Sequence, residues 1–173
     1  MDHRQVLLIG FGTEEEKLRD LLAPEKVDVL ACGPSGLEKT VGELCMDPGD
    51  SVPGEALERG LVLFHNFTRD GLDPVLKILR EAGLSRQPMK AMVTPTNWHW
   101  KVKNLMKELM QEQEIMGEIM KLKKLRDSMS MPAFTDLPAM KARMMAEVQL
   151  SGGEGVTADT VRAAYRELEK YAK

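Results

Sequence analysis

Two glycine-containing stretches come close to known phosphate-binding loops. The run from Gly33 to Thr40 (GPSGLEKT) follows an apolar segment and nearly matches the GxxxxGK[ST] loop that cradles phosphates. Glu38 stands where that loop needs its second glycine, and its carboxylate would repel a phosphate. Gly10-Phe-Gly12 begins a dinucleotide-binding GxGxxG pattern, but Glu15 takes the place of the third glycine. We interpret both stretches as turns and expect no cofactor.

Residues that commonly act as bases, nucleophiles or metal ligands are few. The three histidines are His3, His65 and His99. None is spaced with another His, Cys or carboxylate in a metal-ligand pattern, so the sequence predicts no metal site. His65, at the end of a predicted strand, is the best candidate for a general base. Cys32 and Cys45 have no CxxC partner and no partner base, so we expect reduced thiols and no catalytic residues.

The most specific stretch runs from Lys90 to Trp100 (KAMVTPTNWHW). It predicts a strand that ends in a Thr-Pro turn and leads into a long helix, with Thr96 or Asn97 as N-cap. The free N–H groups of that helix start could bind a small anion or carboxylate. The same residues could instead form only a capping network with two packing tryptophans. The predicted ligand-binding residues are Thr94, Thr96, Asn97, Trp100 and His65.

The elements that must position these residues form a repeated pattern. Apolar runs predict four strands over residues 6–10, 27–32, 61–65 and 90–94. Helices are predicted over residues 13–22 after the first strand and 68–82 after the third. This doubled βαβ pattern predicts an α/β (α+β) fold with a four-stranded ferredoxin-like split sheet. If a helix over residues 37–45 is a genuine crossover, the alternative is a doubly wound parallel sheet.

The character of the chain changes after Pro95, where residues 97–128 predict one long helix rich in methionine. One apolar stripe of that helix is expected to cover the sheet; it comprises Trp98, Val102, Leu105, Met106, Leu109, Met116 and Met120. A second stripe lies on another face and comprises Ile115, Ile119, Leu122, Leu125 and Met129. Its partner is either the chain's own tail, residues 137–150 and 157–172, or a second subunit. We therefore expect a sheet domain over residues 1–113 and a helical extension over residues 114–173.

The charge and hydrophobicity of the sequence limit the kinds of partner that we expect. The 173 residues carry a net charge of only −3, which favours neither nucleic acid nor an anionic membrane. The basic residues of the long helix are also matched by glutamates, namely Glu108, Glu112, Glu114 and Glu118. No apolar stretch approaches the roughly 20 residues of a membrane helix, and the N-terminus does not read as a signal peptide. We expect a cytoplasmic protein with no nucleic-acid or membrane partner.

One motif resembles that of a known bacterial family. Thr94-Pro-Thr-Asn97, followed by Trp100 and a helix with Leu105 and Leu109, is similar to the pattern of domain of unknown function 3783. The resemblance extends over about residues 61–113 and, more loosely, over residues 6–44. It implies membership of a family without an assigned activity, in which Thr94, Pro95, Thr96, Asn97 and Trp100 are the motif positions.

Two functions remain open from the sequence. The first is a non-enzymatic binding or regulatory domain that self-associates or takes a protein partner through the long helix, because that helix has a second apolar stripe. The alternative is a small-molecule or anion binder, even an enzyme, that uses the Thr94–Trp100 turn with His65. That alternative requires His65 to lie close to Asn97 in the folded sheet.

Overall fold

Four strands form one mixed sheet in the computed structural model, which describes residues 3–49, 55–133 and 135–172. The strands are β1 (Gln5–Phe11), β2 (Asp28–Cys32), β3 (Ala56–His65) and β4 (Met89–Met92). Their order across the sheet is β2-β1-β3-β4. The strand cores are apolar without interruption because both faces of the sheet are buried. The predicted four-stranded α/β class is confirmed.

The strand pairing differs from the expected ferredoxin-like split. β1 pairs in parallel with β2, β3 pairs in parallel with β4, and the central pair β1–β3 is antiparallel. Each βαβ unit therefore keeps its two strands adjacent, whereas the split arrangement would place another strand between them. The antiparallel central pair also excludes the all-parallel doubly wound alternative. The two similar halves of the chain contact each other through the antiparallel pair of β1 and β3.

One face of the sheet is covered by the helices of the two βαβ units, α1 (Glu15–Leu22) and α3 (Arg69–Glu81). Leu18 of α1 and Leu79 of α3 are fully buried against sheet residues such as Phe64. Thr68 caps α3 by accepting a hydrogen bond from the N–H of Gly71, as its sequence position predicts. A short helix, α2 (Val41–Met46), follows β2 and contacts β1. Both βαβ connections thus lie on one side of the sheet.

The remaining helices are α4 (Val102–Ser128), α5 (Leu137–Ser151) and α6 (Ala158–Glu169). The predicted second stripe of the long helix packs on the chain's own tail: Leu122 is fully buried in a cluster with Ala146 and Leu168. Tails of this kind are stabilised mainly by such apolar packing. Of the first stripe, Val102 and Leu105 are buried, whereas Met116 and Met120 are exposed.

The long helix begins later than the sequence predicts. Residues 95–100 form turns, and the helix starts at Val102 instead of residue 97. Asn97 is therefore not its N-cap.

The chain divides into two compact units, Met1–Lys107 and Glu108–Lys173, so the division falls six residues before the expected boundary at 113. In the described ranges, no helix is long and apolar enough to cross a membrane.

Burial controls the chemistry of both cysteines. Cys32 and Cys45 are free thiols in the core, and desolvation raises the pKa of each to about 11. A Cβ atom at Gly36 would lie 2.4 Å from the Cys32 Sγ atom, so the backbone encloses this thiol closely. Both thiols are therefore protonated at neutral pH and shielded from reagents.

We predict that iodoacetamide alkylates both cysteines of the folded protein at pH 8 at least about 100-fold more slowly than in denaturant. A pKa raised by about two units lowers the reactive thiolate fraction by that factor, before any effect of access. Mass spectrometry of quenched time points measures both rates. Equal rates in folded and denatured protein would contradict the burial of the thiols.

Candidate functional site

The segment between β4 and α4 folds into a turn that is closed by the side chain of Asn97. Asn97 is buried, and its Oδ1 accepts a hydrogen bond of 2.8 Å from the N–H of Thr94. Its Nδ2 donates to the carbonyl of Met92 at 2.9 Å, and its own N–H donates to Thr94 Oγ1 at 3.2 Å. Both polar atoms of the amide thus bind the local backbone. Asn97 holds the turn and does not present its amide to a ligand.

Carbonyl groups of this turn cap the start of α2. The N–H of Val41 donates to the carbonyl of Trp100 at 3.0 Å, and the N–H of Gly42 donates to the carbonyl of Trp98 at 2.9 Å. Thr40 completes the cap because its Oγ1 accepts from the N–H of Glu43 at 3.2 Å. Val41 and Gly42 provide N–H groups at the start of α2, directly after the run that resembles a phosphate loop. They are occupied here, which agrees with the interpretation of Gly33–Thr40 as a turn.

Glu38, the residue that disrupts the P-loop pattern, connects the same two segments by charge. Its carboxylate binds the Nζ atoms of Lys101 at 3.3 Å and Lys103 at 2.8 Å. Hydrogen bonds from Lys103 and Lys101 hold the pKa of Glu38 below its usual value. Because all three side chains are largely solvated, these ion pairs orient the segments more than they stabilise them.

Trp98 packs directly on the backbone of α2. A Cβ atom placed on Gly42 would lie 2.4 Å from the indole ring of Trp98, which is too close for any side chain. Glycine at this position therefore allows the indole to lie against the first turn of α2. The position of Trp98 is fixed by this contact and by the hydrogen bond of its carbonyl.

A surface pocket of about 500 Å³ lies where β3 and β4 end. Because these strands are adjacent and parallel, their carboxyl ends meet at the same edge of the sheet. His65 ends β3, and its Nδ1 lies 2.7 Å from Gln5 Oε1. Its ring centroid lies 5.5 Å from that of Trp98. His65 and Thr94 both line this pocket, whereas Asn97, to which the sequence tied His65, does not line it.

The predicted ligand residues separate into three groups. His65 and Thr94 share the pocket, whereas Asn97 is buried inside the turn. Thr96 is exposed outside the pocket lining, and Trp100 is 38% exposed and also outside it. The helix start on which the anion site was predicted does not lie at Asn97, because the helix begins at Val102.

Sequence reasoning missed several residues that line the pocket. They include Phe67, Met92, Trp98 and His99. The signal that could have found them is positional. Residues that directly follow two adjacent parallel strands converge at the carboxyl edge of the sheet, where α/β proteins commonly bind ligands. Across the described residues, no group of three or more His, Cys, Asp or Glu side chains is placed to hold a metal ion.

A second concave surface lies in the helical unit, between α5 and α6. This apolar groove has a volume of about 500 Å³ and includes Leu137, Met140, Met144 and Val148 of α5 and Ala164 of α6. Three α5 side chains in it are strongly exposed: Leu137 by 72%, Met144 by 64% and Val148 by 62%. The groove is built almost entirely of aliphatic and thioether groups, so it offers contact area and no catalytic chemistry.

Comparison with known proteins identifies one family. The model of the family described as Domain of unknown function (DUF3783) matches residues 61–116, which confirms the resemblance predicted over about residues 61–113. The match contains the whole lining of the β3–β4 pocket and ends before the α5–α6 groove. No curated protein and no solved structure matches the chain.

We predict that Asn97→Ala lowers the free energy of unfolding by about 1–3 kcal/mol, because the N–H of Thr94 and the carbonyl of Met92 both lose their side-chain partner. Urea denaturation followed by far-UV circular dichroism measures the change. Thr96→Ala is the matched control at an exposed position of the same turn, and we expect it to change stability by less than about 0.5 kcal/mol. Equal effects of the two substitutions would contradict the role of Asn97.

We predict that Gly42→Ala destabilises the protein by at least about 2 kcal/mol, because the new methyl group collides with Trp98. The same substitution in a Trp98→Ala background removes the collision. There it should be neutral or stabilising by up to about 1 kcal/mol, since alanine favours helix over glycine. A double-mutant cycle measures the coupling, and additive effects would rule out the contact.

Proposed function

We propose that this protein is a non-enzymatic binding or regulatory domain that acts through protein–protein association, and that the α5–α6 groove is its docking surface. The observation that carries the proposal is the exposed apolar side of α5. Leu137, Met144 and Val148 are each more than 60% exposed, although they are large and lie on one helix face. Large apolar side chains that are exposed side by side on one surface are a feature of protein association sites.

The way α5 packs explains why its large side chains face outward. Its inner face carries the small residues Ala139, Ala142 and Ala146, all of which are buried. Alanines allow α5 to approach its neighbours closely and leave no room for large side chains there. The large apolar side chains of α5 therefore line the groove. Such a surface suits recognition of a helix that lies in a groove.

The methionines of the groove support an adaptable contact. Met140, Met144 and Met145 line it, and thioether side chains adjust to partners of different shape. We propose a second copy of this chain as the first occupant, because an isologous contact pairs two identical apolar faces of equal length. On the long helix, where the sequence placed the contact, Met110, Met116 and Met120 are exposed.

We further propose a cytoplasmic location, without nucleic-acid or membrane partners. The near-neutral net charge of −3 and the reduced state of Cys32 and Cys45 support this proposal.

Binding of a small molecule is the second candidate function. The observation that favours it is the pocket in which His65 and Thr94 come together at the ends of β3 and β4. It differs from the association proposal in location, because the pocket lies in the first unit and the groove in the second.

We predict that wild-type protein forms a concentration-dependent dimer and that the pair Met144→Glu and Val148→Glu weakens it at least about 100-fold, since each new carboxylate would lose water at the interface. Both positions are exposed, so the fold should survive. Sedimentation equilibrium over a range of concentrations measures the dissociation constant.

Met131→Glu is the matched control, because Met131 is 71% exposed and lies outside the groove. It should dimerise like the wild type, and circular dichroism should show all variants folded. A wild-type protein that stays monomeric at all concentrations, or a dimer that persists in the double variant, would contradict this proposal.

A further inference from the structure

We infer that the pocket at the carboxyl ends of β3 and β4 binds a small planar ligand with a carboxylate, of the aromatic carboxylate class. The inference rests on the second candidate function and is independent of association through α5 and α6. It follows from three properties of the pocket: two fixed aromatic walls, hydrogen-bond donors at its rim, and a lining without acidic residues.

The aromatic walls are Trp98 and Phe67. The indole of Trp98 is held against Gly42, where even a methyl group would collide with it. The ring of Phe67 packs edge-to-face on Phe64, with centroids 5.7 Å apart and planes at 80°. Both rings are therefore fixed before a ligand arrives, so a ligand does not have to order them. Two fixed aromatic surfaces favour a flat, apolar ring.

The polar groups at the pocket can donate hydrogen bonds. Thr94 Oγ1 accepts from the N–H of Asn97, so the hydroxyl hydrogen can point toward an acceptor in the pocket. His99 is exposed at the rim and adds an imidazole N–H. Donors of this kind select a ligand with oxygen acceptors, and a carboxylate offers two of them.

The charges around the pocket favour an anion over a cation. Among the described residues, no Asp or Glu lines it. The guanidinium of Arg4 lies 5.7 Å from the centroid of Phe67 and thus already occupies a cation position on that ring. Helix α3 begins at Arg69, directly after Phe67 and its cap Thr68, which places the positive end of the helix dipole beside the pocket. Asp70 in the first turn of α3 is outside the lining.

Benzoate, benzamide and benzylammonium test this inference because they share one ring and differ in charge. The two tryptophans provide an internal comparison: the Trp98 indole lines the pocket and the Trp100 indole does not. In ¹H–¹⁵N spectra, we expect benzoate to shift the Trp98 indole signal with a Kd of about 1 mM, and to leave Trp100 unmoved. Benzamide and benzylammonium should bind at least about tenfold more weakly.

Two substitutions distinguish a built site from a chance contact. Thr94→Ala removes the hydroxyl donor and should weaken benzoate several-fold, whereas Thr94→Ser should restore it. Because Thr94 also holds the turn, His99→Ala serves as a second variant at an exposed position and should weaken benzoate too. Thr96→Ala, outside the lining, should leave the affinity unchanged.

The outcomes separate the inference from the function on which it rests. If benzamide or benzylammonium shifts the Trp98 signal with a Kd equal to that of benzoate, the pocket binds ligands but the anionic class is wrong. If none of the three probes shifts Trp98, the second candidate function itself is contradicted. A shift of Trp100 equal to that of Trp98 would place the probes elsewhere and also overturn the inference.

Discussion

The connection from β4 to α4, and through it the start of α2, depends on the burial of one carboxamide. Asn97 binds the backbone of Met92 and Thr94 and so fixes how the chain leaves β4. A buried side-chain amide needs hydrogen-bond partners for both its oxygen and its nitrogen. The turn between β4 and α4 provides both partners for Asn97. Once the turn is set, the carbonyls of Trp98 and Trp100 reach the first amides of α2. The two hydrogen bonds to α2 also hold the Trp98 ring and the residues just before α4 in place.

The two proposed surfaces depend on different constraints. The pocket uses what the turn fixes, namely Trp98 and the hydroxyl of Thr94, together with His65 from β3. The α5–α6 groove depends instead on the small inner face of α5 and on apolar packing around Leu122. The family match covers the pocket and not the groove. Substitutions in one surface should leave the other intact.

Local patterns predicted much of the fold. Apolar runs located the four strands, Thr68 was recognised as a cap, and the stripe with Leu122 needed a partner that the tail provides. The split topology was not confirmed because strand order depends on long-range pairing, which periodicity does not encode. The helix start at Asn97 was wrong for a related reason. Its side chain has local partners, and the carbonyls after it are taken by Val41 and Gly42, more than fifty residues earlier. Only the spatial adjacency of β3 and β4 reveals the full pocket lining.

Amide hydrogen exchange, resolved by residue with NMR, tests the central role of this turn most directly. Asn97 closes the turn, and the carbonyls of Trp98 and Trp100 cap α2. The amides of Thr94, Val41 and Gly42 should then exchange slowly, at rates close to those of the buried strand β1. If these amides exchange as fast as those of the exposed glycines Gly152 and Gly153, the turn is not the closed structural element described here. The pocket would then lose the fixed position of Trp98.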